Sequence, residues 1–399
     1  MKGANYYFLE SGVLAFGEGI EEQMIDQTVN YWRKCVDKVA FFLILAGSQT
    51  AEIEGISSAG STPESRRYTA VADAELLMRG PLHPKRWPLP PLPAGVSPAL
   101  ISYVASRFLK IKPTVISSGL LQRPPFPHVC LDANEIGPAR CLSSGKAMEV
   151  SRVQFLLEYG LEIGKELKQP LLIAECVPGG TTTALAVLCG LGINVYDLIS
   201  GSNKNPPSEL KRKVVTKGLN AAKLKKNPSS IDLMSAVGDP FQPIAVGLLL
   251  GARESDQEIL LGGGCQMLAV LALALQVIEP EFRSRFAKKI SIGTTAWLVE
   301  ESLLCSKKRN SFIHLMNNVA KHFKINILGL ACGYRFNDSD QKVLRDYENG
   351  HIKEGVGVGA LSLLAQIKGL SQKEMIKDCE NEVQNLFKSQ GEKLFKEFE

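Results

Sequence analysis

Residues 39–47 read VAFFLILAG, nine positions without a charge or a strongly polar side chain. A strand that is apolar at every position has no face to offer water, so both of its sides must be covered. That condition selects a parallel sheet layered between helices. Six further short apolar segments follow: PTVISSG at 113–119, QPLLIAE at 169–175, DLMSAVGDP at 232–240, EILLGGG at 258–264, KISIGTTAW at 289–297 and NILGLACG at 326–333. Most are trailed by Gly or Ser and then by a helix-like stretch such as CQMLAVLALALQVI. The alternation predicts an α/β fold, a Rossmann-like three-layer α/β/α core with a parallel sheet and a smaller second domain built from the terminal segments. In such sheets ligands sit beyond the carboxyl ends of the strands, where these Gly-rich turns fall.

The core is expected over 39–368. Residues 1–38 are read as a helical segment of the small domain, and the charged, helix-periodic 369–399 as an amphipathic C-terminal helix. Within the core, PLHPKRWPLPPLPAGVSP at 81–98 holds seven prolines and cannot be a helix or a central strand. It reads as an extended surface excursion.

Composition excludes several function classes. Lys plus Arg number 46 against 41 Asp plus Glu, and no basic run is long enough to make a nucleic-acid face. Nine cysteines without a C-x-x-C and five histidines without ligand spacing predict no metal site and no cofactor, and point to reduced thiols in the cytoplasm. The N-terminus has no leader pattern, and the longest apolar stretches, LAVLALALQVI and PIAVGLLLG, fall short of a membrane span. Small-molecule substrates are the expected partners, and acidic ones fit the slight positive balance.

Three junctions carry the chemistry. In AECVPGGTTTALAVL at 174–188, Glu175 precedes a Pro178-Gly179-Gly180 turn, and Thr181, Thr182 and Thr183 can cap the helix that follows. A helix start offers free N–H groups and a positive dipole end, which favour a phosphate or carboxylate. A second turn, Gly262, Gly263 and Gly264, closes EILL and opens another helix. The third is GHIKEGVGVGALSLLA at 350–365, where Glu354 precedes Gly355, Gly357 and Gly359. None is a Walker loop, because the lysine is missing, and G-x-G-x-G is not the dinucleotide fingerprint. A basic partner for the anion is expected from SELKRKVVTKGLNAA, with Lys211, Lys213 and Lys217 as candidates and at most one of them used.

A carboxylate at a helix start is ordinarily a cap, and a plain capped turn accounts for either glutamate alone. Two carboxylates facing one phosphate-sized pocket would instead supply a general base and a stabiliser of positive charge.

These motifs, together with TAEIEGISSAGSTPESRRYTAVADAELL, SAVGDPFQPIAVGLLLGA and LGGGCQMLAVLALA, resemble the archaeal and cyanobacterial branch of the nicotinate mononucleotide:5,6-dimethylbenzimidazole phosphoribosyltransferase family, over roughly residues 40 to 365. The resemblance implies transfer of phosphoribose from nicotinate mononucleotide to a benzimidazole-type or purine base, giving an α-linked nucleotide for cobamide lower-ligand assembly. It implies a homodimer without cofactor. It also implies Glu354 as general base, Glu175 as the second active-site carboxylate, Pro178, Gly179, Gly180, Thr181 and Thr182 as the phosphate loop, Gly263 and Gly264 beside it, and Lys211 on the phosphate side. A nucleotide- or phosphate-binding module that keeps the fold without turnover is the alternative. A nucleoside-triphosphate enzyme is disfavoured by the absent loop lysine.

Overall fold

The computed structural model describes residues 5–132, 136–201, 204–304 and 312–396. Its strands are β1 (Asn5–Phe8), β2 (Leu14–Gly17), β3 (Ala40–Ala46), β4 (Thr114–Ser118), β5 (Val129–Cys130), β6 (Leu171–Cys176), β7 (Ile259–Gly262), β8 (Ile290–Thr295) and β9 (Leu328–Cys332). They form one sheet in the order β1-β2-β9-β8-β7-β6-β3-β4-β5. From β9 to β5 every pairing is parallel, and only the β1–β2 hairpin and its junction with β9 are antiparallel.

The double-sided burial required of VAFFLILAG is realised in β3. Phe42, Ile44 and Ala46 enter one hydrophobic core, while Phe41, Leu43 and Leu45 enter the other. Helices α1 (Glu22–Cys35), α2 (Pro63–Arg79) and α3 (Pro98–Leu109) cover the second face. The first face takes α4 (Val150–Glu166), α5 (Gly180–Gly190), α6 (Ser208–Ala222), α7 (Ser230–Val237), α8 (Phe241–Glu254), α9 (Cys265–Val277) and α10 (Pro280–Ala287). Helix α11 (Ala296–Leu304) leaves the end of β8 and α12 (Phe312–Phe323) joins the first face. The chain then returns to the second face with α13 (Lys342–Arg345), α14 (Val358–Lys368) and α15 (Gln372–Lys396). The result is the three-layer α/β/α arrangement that the apolar runs predict.

Two readings of the sequence need correction. Segment 1–38, read as helical, holds α1 but also the β1–β2 hairpin, which extends the sheet past β9. Residues 232–240, grouped with the strand-like runs, lie mostly in α7. Ser229 and Asp232 form a reciprocal capping box there, and that local start signal fixes a helix where apolarity alone was ambiguous.

The order of strands reverses between β3 and β6. From β3 the sheet grows through β4 to β5, and from β6 it grows the other way through β7, β8 and β9. A crevice opens at the carboxyl ends of the strands on either side of such a reversal. Glu175, near the end of β6, sits at that point.

Packing on the first face depends on close backbone approach. Gly160 and Gly164 of α4 face Gly247 and Gly251 of α8, and a Cβ on Gly247 would fall 2.2 Å from the Leu157 carbonyl oxygen. Gly247→Ala is therefore expected to lower stability by about 1–3 kcal/mol through overpacking. Urea unfolding measures it, and an unchanged midpoint would contradict the close helix contact.

Candidate active site

A cavity of about 420 Å³ opens at the reversal point. That volume lies within the ~300–1,000 Å³ usual for small-molecule sites. Its walls come from the β6–α5 turn, the start of α9, the loop at 352–356, the Pro-rich segment at 89–98 and residues 386–390 of α15.

The β6–α5 turn closes tightly because Gly179 adopts φ +78°, a left-handed conformation that an L side chain resists. A Cβ there would also press on the Ala51 backbone at 3.1 Å. The turn delivers Gly180 and Thr181, the first residues of α5, to the cavity wall, and Gly264 and Cys265 do the same at the start of α9. Two helix N-termini thus converge on one end of the hollow, as an anion would require.

Lys211 is 2% exposed, and its Nζ donates to Thr181 Oγ1 at 2.8 Å. Burial pushes its pKa down to about 8, with the charge of Lys353 acting in the same direction. An ammonium in that state is poised to be stabilised by an incoming anion. Lys213 and Lys217 are exposed, so only Lys211 of the three candidates reaches the site.

The two glutamates meet on the same cavity. Glu354 Oε2 accepts from Thr294 Oγ1 at 2.8 Å, and Oε1 accepts from the amides of Gly359 at 3.1 Å and Gly355 at 3.2 Å. Burial outweighs these donors and raises its pKa to about 7. Glu175 is raised to about 8, by burial first, then by the charge of Asp239 and, more weakly, of Glu354. Both residues keep some exposed surface, and both line the cavity. The Val356 amide donates to the Glu175 carbonyl at 3.0 Å and ties the two loops together.

Behind Glu175, Asp239 is fully buried. It accepts from Gln266 Nε2 at 2.7 Å, from Thr183 Oγ1 and from the Phe241 amide at 3.0 Å. Asp73, also on the cavity lining, accepts from Ser97 Oγ at 2.6 Å and from Cys176 Sγ at 3.7 Å, and burial raises its pKa to about 6.

Of the ten site residues that the resemblance implies, Glu175, Glu354, Pro178, Gly179, Gly180, Thr181, Lys211 and Gly264 line this one cavity. Thr182 and Gly263 do not. Thr182 is fully buried, its Oγ1 without a hydrogen-bond partner among the described residues, because its place in the first turn of α5 directs the side chain into the core. Gly263, at φ +155°, donates its amide to the Gly293 carbonyl and shapes the turn from behind. Sequence reasoning missed Lys353, Asp73 and Asp239. Lys353 abuts Glu354 and could have been found from that adjacency; Asp73 lies inside an ordinary helix and gave no signal. Among the described residues no group of three His, Cys, Asp or Glu could hold a metal ion, and no helix is long and apolar enough to cross a membrane.

Over 93% of its length the chain is 50% identical to the UPF0284 protein of Prochlorococcus marinus (strain MIT 9313), of which 92% is covered. The chain belongs to the UPF0284 family. The UPF0284 protein of Parasynechococcus marenigrum (strain WH8102) is 47% identical, with 96% of each chain covered. Residues 102–287 of this UPF0284 member match the family model described as phosphoribosyltransferase. Two solved structures from Thermus thermophilus share the fold: CobT, with TM-score 0.53 at 15% identity over 86% of this chain and 91% of that one, and nicotinate-nucleotide-dimethylbenzimidazole phosphoribosyltransferase, with TM-score 0.54 at 13% identity over 90% and 96%.

A carboxyl held protonated by burial has a stability consequence. Glu175 binds its proton up to about pH 8 when folded but only to about 4.5 when unfolded, so its contribution is fully present below 4.5 and is lost as pH rises through 8. Glu175→Gln removes that dependence. Between pH 5 and pH 8 the wild-type melting temperature should fall relative to the variant's, as read by calorimetry; parallel curves would mean Glu175 is not buried as described.

Proposed function

We propose that the protein transfers phosphoribose from nicotinate mononucleotide to a heterocyclic base of benzimidazole or purine type, releasing nicotinate and forming an α-linked nucleotide. The coarser class, phosphoribosyl transfer, is supported by the family match over 102–287 and by the fold shared with CobT. The observation that carries the finer reading is the pairing, in one cavity, of an anion cradle with two glutamates whose pKa values are raised to about 7 and 8.

In this reading the 5′-phosphate rests on the starts of α5 and α9 with Lys211 beside it. Nicotinate bonded to ribose carries a formal positive charge on its ring nitrogen. As the C1′–N bond breaks, the electron pair goes to that nitrogen and nicotinate leaves without needing an acid. The incoming base attacks C1′ from the opposite face with one ring nitrogen, and the proton on its other nitrogen passes to Glu354. Inversion at C1′ follows. The three donors around Glu354 make it the first of the two glutamates to ionise, and protonated Glu175 leaves the ribose side without a second full negative charge. Much of the acceleration comes from holding two heterocycles in line on either side of C1′.

Incubation of the pure protein with nicotinate mononucleotide and a panel of benzimidazoles and purines should release nicotinate. Glu354→Gln should retain mononucleotide binding and lose about 10²–10⁴-fold in turnover, the usual range for a removed general base. The wild-type kcat/KM should rise as pH increases through about 7, where Glu354 ionises, and fall above about 8, where Lys211 loses its charge. Mononucleotide binding without nicotinate release for any base would favour a binding module that has kept the fold.

A further inference from the structure

Lys353 is 3% exposed, nearly as buried as Lys211, and it lines the same cavity. A charge that deep survives only if it is paired or serves a ligand. Its Nζ donates to the Gly201 carbonyl at 2.9 Å and to Glu301 Oε1 at 3.1 Å, while the other Glu301 oxygen accepts from Ser200 Oγ. Lys211 comes to the same place from α6: a Cβ built on Gly201 would lie 3.4 Å from its Nζ. Two ammonium groups therefore flank one residue at the cradle end of the cavity, beside Thr181 of α5 and Cys265 of α9.

Among the described residues, Glu301 is the one carboxylate hydrogen-bonded at this place. Each helix start acts as roughly half a positive charge. Together with the two lysines, and less the Glu301 carboxylate, they leave about two positive charges in a buried place. A phosphate monoester brings about −1.5 to −2 at neutral pH. With Lys211 alone opposite Glu301, only the helix starts would remain, and a dianion would be left half neutralised.

We propose that Lys353 is a second phosphate-positioning lysine of this site, held ready by Glu301. The inference rests on the mononucleotide reading and adds a link that the motifs do not contain. Lys353 and Glu354 are consecutive, and their side chains diverge, one to Gly201 and Glu301, the other to Thr294 and Gly359. Thr295 Oγ1 fixes the dipeptide from below through the Lys353 carbonyl. A phosphate seated by Lys353 therefore registers the donor against the neighbouring base.

The test uses inorganic phosphate as the probe, titrated calorimetrically at pH 7 into the full chain. The double variant Lys353→Met with Glu301→Gln leaves neither charge stranded in the interior, and Glu301→Gln alone keeps the lysine. The double variant should bind phosphate about 10- to 100-fold more weakly than both the wild type and Glu301→Gln, the range for a lost charge-assisted hydrogen bond. Equal affinities, or no phosphate binding by the wild type, would overturn the assignment. In turnover, the double variant should lose several-fold more kcat/KM with nicotinate mononucleotide than with nicotinate riboside, which lacks the phosphate; equal losses would mean that Lys353 only supports the fold. The phosphate titration needs no turnover, so its outcome is separate from whether nicotinate is released.

Discussion

The hydrogen bond from the Val356 amide to the Glu175 carbonyl joins parts of the chain about 180 residues apart. One partner ends β6 at the point where strand order reverses; the other lies in the loop that opens α14. The backbone bond brings the two loops together, and both carboxyl groups line the same cavity. Burial is the first cause of the raised pKa of each, and the charge of Glu354 raises that of Glu175 further. The acid–base properties of the site thus follow from sheet topology.

Such a site works against the stability of the empty protein. Asp239 behind Glu175, and the Glu175–Glu354 pair itself, place three carboxyl groups in a buried region, where hydrogen bonds from Gln266, Thr183, Thr294 and the Phe241 and glycine amides offset part of the cost of ionising them. Lys211 and Lys353 make the opposite demand at the other end of the cavity. A substrate negative at one end and cationic at its ring would relieve both. Retaining uncompensated charge in a folded interior is the physical mark of a place built for a ligand.

Much of this was legible in the sequence, for identifiable reasons. VAFFLILAG could only be a doubly covered strand, and the glycines after LLIAE and EILL could only be turns that open helices. Those features locate the cavity at the carboxyl edge and bring Glu175, Glu354 and Gly179 to it. What was not legible depends on partners distant in sequence. Lys353 looks like one more surface charge until Gly201 and Glu301 fold over it, and Asp73 is an unremarkable helix residue until Ser97 and Cys176 enclose it. Thr182 and Thr181 are indistinguishable in a run of threonines. The helix decides which of them faces the cavity, through the direction in which each Cβ leaves the axis.

The central claim is that Glu175 and Glu354 share one cavity whose burial raises the pKa of both. It is tested most directly by following carboxyl resonances of protein labelled with ¹³C at the glutamate side-chain carboxyl during a pH titration, with Glu175→Gln and Glu354→Gln assigning the two signals. The account predicts two glutamates titrating near 7 and 8, with the Glu175 signal moving to lower pH when Glu354 is replaced by glutamine. Two independent titrations near 4.5, the ordinary value for a glutamate, would contradict it.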